Sequence, residues 1–307
     1  MLGSYPVRVL FCSSGVAGSG HVALGLSLGN ALRRRARAGR AAEAEYRLVC
    51  VDSPFAPLAS RLGFDIVTVP PEGEAELGPG AYEGSALYRA IVDYAPDLLV
   101  VDLFWFPLDS FIASLPCRKV LLIRQVDPRF FTLPLRDREL RLRPGDYDLV
   151  LRTEPCFETP FPSEEIDPII ILDRGEIMGR DEALADLGLA PDERACLFAF
   201  NGAEGEGALA WKSFSYLEDE GWRVVRSDNR SGGLFPAARW FNAFDLVVCG
   251  AGYSAFWEAR YFGKEACFVP YPRRFEDQAR RIALCSDYTP ANNGADELVD
   301  RLSALAE

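Results

Sequence analysis

Leu246-Val247-Val248-Cys249-Gly250-Ala251-Gly252-Tyr253-Ser254-Ala255-Phe256-Trp257-Glu258 is the stretch on which the fold turns. Four apolar residues run without a polar break and meet a Gly-Ala-Gly turn, and a helical pattern follows as far as residue 261. An unbroken apolar run of this length suits a strand covered on both faces, as in a parallel sheet flanked by helices. Glycines let the backbone pass close to a ligand. A helix starting there offers unpaired N–H groups and the positive end of its dipole. Gly250, Gly252 and Ser254 are therefore candidates for holding a diphosphate. Glu258, one turn into the helix, could take a ribose diol in two hydrogen bonds.

The same alternation extends both ways. Downstream come a strand at 266–270 and helices at 276–284 and 297–305. Upstream come a strand at 196–200, the loop Asn201-Gly202-Ala203-Glu204-Gly205-Glu206-Gly207, a helix at 208–220 and a strand at 223–227. The first half repeats the pattern, with strands at 7–12, 46–51, 66–69, 98–103 and 120–123. Helices are expected there at 21–37, 56–62, 81–94 and 106–115. Short apolar runs follow at 149–151 and 169–172. Between them CFETPFPSEEIDP (156–168) carries three prolines and reads as a linker. The expectation is an α/β chain of two Rossmann-like domains, 1–157 and 165–307, facing across a cleft. Their ligand would lie beyond the carboxyl ends of the strands.

Composition narrows the function. The chain has 307 residues and a net charge of −12. Residues 1–155 balance 18 basic against 18 acidic groups, which leaves 15 against 27 in residues 156–307. Nucleic-acid binding needs a surplus of phosphate-neutralising cations and is not expected. The one basic run is Arg33-Arg34-Arg35-Ala36-Arg37, with Arg40 close behind. It reads as the cationic C-terminal end of a helix, or as peripheral contact with anionic lipid at the inner face of a membrane. The eight cysteines form no CxxC and lie outside metal-ligand spacing with the single histidine. Several sit in apolar runs and suit a reducing compartment. With no secretory pattern at the N-terminus, the expected location is cytoplasmic.

The first strand leads into Ser13-Ser14-Gly15-Val16-Ala17-Gly18-Ser19-Gly20-His21. Gly18 and Gly20 again permit close backbone approach. His21, the only histidine, could accept a proton from a hydroxyl or a water at the crevice, or simply bind backbone or phosphate. Asp102 ends the run Leu98–Asp102 and could orient His21 or act as a base; the other reading is a turn or cap aspartate. Arg124 and Asp127 are further candidates of the same kind. Asn201 and Gly202 suit phosphate approach, while Glu204 and Glu206 would repel a diphosphate unless turned away. Asp277 and Gln278 begin a helix and could read sugar hydroxyls. Asp146 and Asp148 spell DxD around Tyr147 and are read as a strand lead-in.

On these residues the chain resembles the GT-B glycosyltransferases, particularly the family-28 type, which includes the peptidoglycan enzyme that adds N-acetylglucosamine to a lipid-linked muramyl precursor. Gly252, Ser254, Glu258, Gly263, Pro270, Asp277 and Gln278 fall on that family's C-terminal pattern. Gly18, Gly20, His21 and the helix to Leu32 fall on its N-terminal one. Glu265 replaces the proline that follows the family's Gly-Lys, and the loop at 201–207 is more acidic than the family's. The resemblance implies inverting, metal-independent hexosyl transfer from a UDP-sugar. It implies Glu258 on the ribose, Gly252 and Ser254 near the phosphates, and Gln278, with Asp277, on the donor sugar. No cofactor is implied, and the acceptor is open among lipid-linked, glycan and small molecules. Gly18-Ser19-Gly20-His21-Val22 also resembles the opening of a nucleotide-sugar hydrolase of the pseudaminic acid pathway, although Ala23-Leu24 depart from it. A catalytically inert nucleotide-sugar-binding protein is the third reading.

Overall fold

The computed structural model describes residues 6–13, 18–39 and 43–306. Residues 14–17 of the first glycine loop and Arg40 of the basic run lie outside these. Among the described residues thirteen strands occur in chain order: β1 (Arg8–Ser13), β2 (Glu45–Val51), β3 (Asp65–Val69), β4 (Leu98–Asp102), β5 (Arg118–Ile123), β6 (Thr132–Pro134), β7 (Glu139–Arg141), β8 (Leu149–Arg152), β9 (Glu164–Glu165), β10 (Ala195–Ala199), β11 (Arg223–Ser227), β12 (Leu246–Gly250) and β13 (Ala266–Val269). The α-helices are α1 (Gly20–Arg37), α2 (Pro57–Arg61), α3 (Glu74–Leu77), α4 (Ala86–Tyr94), α5 (Arg180–Leu187), α6 (Glu206–Phe214), α7 (Tyr216–Asp219), α8 (Tyr253–Tyr261), α9 (Gln278–Cys285) and α10 (Gly294–Ala306).

Two parallel sheets result. One runs β3-β2-β1-β4-β5-β8-β9 and the other β11-β10-β12-β13. Strand β4 is buried along its whole length, which its unbroken Leu-Leu-Val-Val permits. Helix α1 lies close on the first sheet because Gly25 and Gly29 present no side chain to it. A Cβ on Gly25 would stand 2.6 Å from Leu48, and one on Gly29 would stand 2.8 Å from Tyr46.

Several expected helices are shorter or broken. The segment expected as a helix at 106–115 forms two 3₁₀ turns, Phe106–Leu108 and Ile112–Ser114, with Pro107 starting the first. The helix expected at 208–220 divides at Ser215 into α6 and α7. Ser85 accepts a hydrogen bond from the Tyr88 N–H and starts α4 five residues later than the apolar pattern suggested. The run at 169–172 is a buried non-strand crossing. Its Ile169 and Ile170 N–H groups donate to Tyr253 Oη and Asn293 Oδ1 at 2.8 and 3.1 Å.

Several contacts tie the two halves together. Helix α10 returns to pack on α1, where Arg34 pairs with Asp296 at 2.8 Å and Arg35 with Asp300 at 2.6 Å. Arg33 donates to the Leu62 carbonyl at 2.9 Å and covers the Phe64 ring. The basic run thus turns three guanidinium groups onto protein partners. Arg281 of α9 binds Glu154, just beyond β8, and Glu276, each at 2.5 Å. The Asp127 N–H donates to the Phe275 carbonyl at 2.6 Å, and the Asp277 N–H to Gln125 Oε1 at 3.2 Å. No helix among the described residues is long and apolar enough to cross a membrane.

Candidate functional site

Between the carboxyl ends of the two sheets lies a cavity of about 480 Å³ with walls from both halves. At one corner of it stands a largely buried cluster at the ends of β1, β4 and β5. Asp102 accepts from His21 Nδ1 at 2.7 Å, from Ser13 Oγ at 3.1 Å and from Arg124 Nη1 on its other oxygen. The register explains the meeting: Asp102 is opposite Leu122, so Arg124, two residues on, projects to the same side. Burial alone would raise the Asp102 carboxyl. The Arg124 guanidinium and His21 beside it hold it well below the usual carboxylate range. An ionised Asp102 only accepts, so the His21 Nδ1 that meets it carries a proton; in the neutral imidazole Nε2 then holds the lone pair. Nε2 has no partner among the described residues. Arg124 Nη2 also stands 3.1 Å from Nδ1 and crowds the imidazole from its protonated side.

The opposite wall is the strand, turn and helix that opened the reading. Gly250 ends β12, Gly252 caps α8 without a side-chain hydrogen bond, and Ser254 lies in its first turn. The helix start faces that of α1: a Cβ on Gly20 would stand 3.4 Å from Ser254 Oγ. Two helix N-termini from opposite halves therefore open on one cavity, and their free N–H groups and dipoles favour an anion there. Glu258 lines the same wall without an ion-pair or hydrogen-bond partner among the described residues. Burial pushes its carboxyl up to about 8.

The third loop is held by the first half. The Ser19 N–H donates to the Asn201 carbonyl at 3.1 Å, and Ser19 Oγ accepts from Asn229 Nδ2 at 3.2 Å. Gly18 has φ +78°, and a Cβ there would come within 2.9 Å of the Asn201 oxygen, so this approach needs glycine. Asn201 directs its side-chain oxygen to the Asn229 N–H at 2.8 Å, and the Gly202 carbonyl accepts from Arg230. Glu204 is exposed away from the cavity. Glu206 lines it but is gripped by Arg273 through two hydrogen bonds, at 2.5 and 2.9 Å. The expected repulsion of a diphosphate is thereby offset.

Two expected sugar readers have other work. Asp277 is exposed, lies off the cavity and caps α9 by accepting from the Arg280 N–H at 2.9 Å. Gln278 reaches the wall but accepts from the Tyr271 N–H at 2.9 Å and donates to Glu276 at 3.2 Å, so it holds the loop before α9. Asp127 caps the turn Pro128–Phe131 and pairs with Arg129 at 2.8 Å. Sequence reasoning missed the aromatic side of the cavity, formed by Phe104, Phe106, Phe130 and Phe275. These residues read as ordinary core, and only their position just after strand ends could have marked them. A second hollow of about 640 Å³ opens at the opposite strand ends, lined by Arg8, Asp97, Arg118 and Leu305 among others. It contains none of these constellations.

No protein-family model and no curated protein matches the chain. Solved structures do. Spinosyn forosaminyltransferase SpnP matches with a TM-score of 0.63 at 15% identity, over 98% of this chain and 91% of that one. Glycosyltransferase VinC in complex with dTDP gives 0.57 at 15% over 98% and 91%. MurG of Acinetobacter baumannii gives 0.53 at 12% over 97% and 91%. At such identities the likeness is one of fold. The fold is GT-B: two Rossmann-like units facing across a cleft.

Proposed function

We propose that the chain is a glycosyltransferase that moves a hexosyl group from a nucleotide-sugar, UDP-linked by the resemblance, to an acceptor hydroxyl. Inversion at the sugar carbon is part of the proposal, as is independence from a metal ion. The observation that carries it is the sharing of one cavity by His21–Asp102 on one wall and the start of α8 with Glu258 on the other. His21 Nε2 takes the acceptor proton as the acceptor oxygen bonds to the anomeric carbon. The bond from that carbon to the phosphate oxygen breaks, and its electron pair leaves with the diphosphate. Backbone N–H groups at 252–255 and the α8 dipole meet the charge that develops on the leaving group. Glu258 takes the ribose hydroxyls. The fold shared with glycosyltransferases, one of them bound to dTDP, supports this reading. Location in the cytoplasm belongs to it as well.

Mass spectrometry of UDP-, GDP- and dTDP-sugars incubated with the pure protein, with and without cell extract, tests it. Nucleoside diphosphate is expected only when extract supplies an acceptor. Release in buffer alone would instead make the protein a hydrolase, and no turnover in any mixture would make it a binder.

A further inference from the structure

Two cysteines meet at the joint between the halves. Cys156 follows Glu154 and Pro155 just beyond β8, and Cys285 ends α9, one turn past Arg281. The buried pair Arg281–Glu154 fixes these two elements against each other, and the cysteines with them. Each thiol reaches the backbone beside the other. Cys156 Sγ lies 3.7 Å from the Leu284 carbonyl oxygen, and Cys285 Sγ lies 3.9 Å from that of Pro155. Each of these carbonyls belongs to the peptide unit that leads into the other cysteine's Cα. The two side chains therefore share one small space.

Their settings differ. Cys285 is buried and Cys156 is exposed. Cys156 also has φ +60°, a left-handed backbone that a residue with a Cβ adopts only at a cost. Burial, and then the Cys156 sulfur nearby, push the Cys285 thiol up to about 12. A soluble oxidant thus meets Cys156 first, and Cys285 is the neighbour placed to resolve the product.

We propose that Cys156 and Cys285 form a reversible disulfide that clasps the two halves when a small disulfide such as oxidised glutathione accumulates. The Cys156 thiolate attacks one sulfur of the small disulfide. The S–S bond breaks and one glutathione leaves as its thiolate. Cys285 then gives up its proton and attacks the Cys156 sulfur, which expels the second glutathione. Two protein thiols are oxidised, the small disulfide is reduced to two thiols, and the protein's two protons end on these. In a reducing compartment the thiol form is the resting one. The new bond stands beside the Arg281–Glu154 pair. It ties α9, whose Gln278 reaches the cavity wall, covalently to the first half. None of this depends on the transfer reaction.

The test equilibrates the full chain in glutathione buffers of rising oxidised fraction, then quenches with acid and alkylates in denaturant. Intact mass and peptide mapping are expected to show two of the eight thiols lost and a peptide linking Cys156 to Cys285 within one chain. The melting temperature should rise by several degrees and fall back with dithiothreitol. Cys156→Ser changes an exposed side chain, and its melting temperature should be the same in oxidised and reduced buffers. Glutathione held on Cys156 without a link to Cys285, a link between other cysteines, or no thiol lost would each overturn the disulfide. A linked chain that melts with the reduced form would overturn the clasp.

Discussion

Arg281 in the second half donates through Nε to Glu154 of the first at 2.5 Å, and both side chains are buried. Trp257 Nε1 donates to the same carboxylate at 2.8 Å, and the Gln125 N–H does so at 2.6 Å. Burial would lower Arg281, yet Glu154 and Glu276 hold it above its ordinary value. Removing one member of such a pair leaves a buried charge without compensation. Arg281→Ala is expected to cost about 3–5 kcal/mol of unfolding free energy, read from urea titration. A loss below about 1 kcal/mol would mean that the ion pair does not hold the halves together.

His21→Ala should lower kcat by about 10² to 10⁴-fold if Nε2 takes the acceptor proton. Affinity for the nucleotide should change little, since the imidazole lies on the other wall. Full activity in this variant would end the proton-transfer proposal.

Arg124→Met strips the buried Asp102 carboxylate of its guanidinium. A loss of about 3–5 kcal/mol is expected at pH 7. Asp102 in the native protein sits below its ordinary pKa of 3.8, so its contribution is present above that value and is lost as pH falls further. Thermal melting from pH 7 down to pH 3 should therefore show a shallower acid-side fall in the variant. Parallel curves would separate Arg124 from that carboxylate.

Glu258 gives the opposite sign. Its ordinary pKa is 4.5, and burial pushes it up to about 8 in the folded chain. The folded state then holds a proton that the unfolded state has released, so stability declines as pH rises from about 4.5 to about 8. Glu258→Gln should raise Tm at pH 8.5 by a few degrees and leave it unchanged at pH 4.5. The same variant should weaken nucleotide binding about 10-fold at pH 8.5, where the ionised carboxylate offers two acceptor oxygens and the amide offers one. An equal Tm gain at both pH values would count against this ionisation.

Much of the fold was legible because strands buried on both faces need unbroken apolar runs, and β4, β10 and β12 supply them. Glycine turns after β1 and β12 located the cavity for the same local reason. Helix ends were less legible: Ser85 and Asp277 set them by capping, against the apolar period. Pairings across the chain were hidden altogether. Nothing near Glu154 announces Arg281, 127 residues away, and nothing near Asp102 selects Arg124 over Asp127 until the strand register is known. Phe104 and Phe106 stood in plain view but carry no polar pattern to separate a cavity wall from a core.

The bond from His21 Nδ1 to Asp102 gives the protein a built-in spectroscopic reporter. The chain has one histidine, so its imidazole resonances need no assignment by mutagenesis. Nitrogen-15 spectra would show directly which ring nitrogen holds the proton. A single signal could then be followed as each substrate is added, one titration per wall of the cavity.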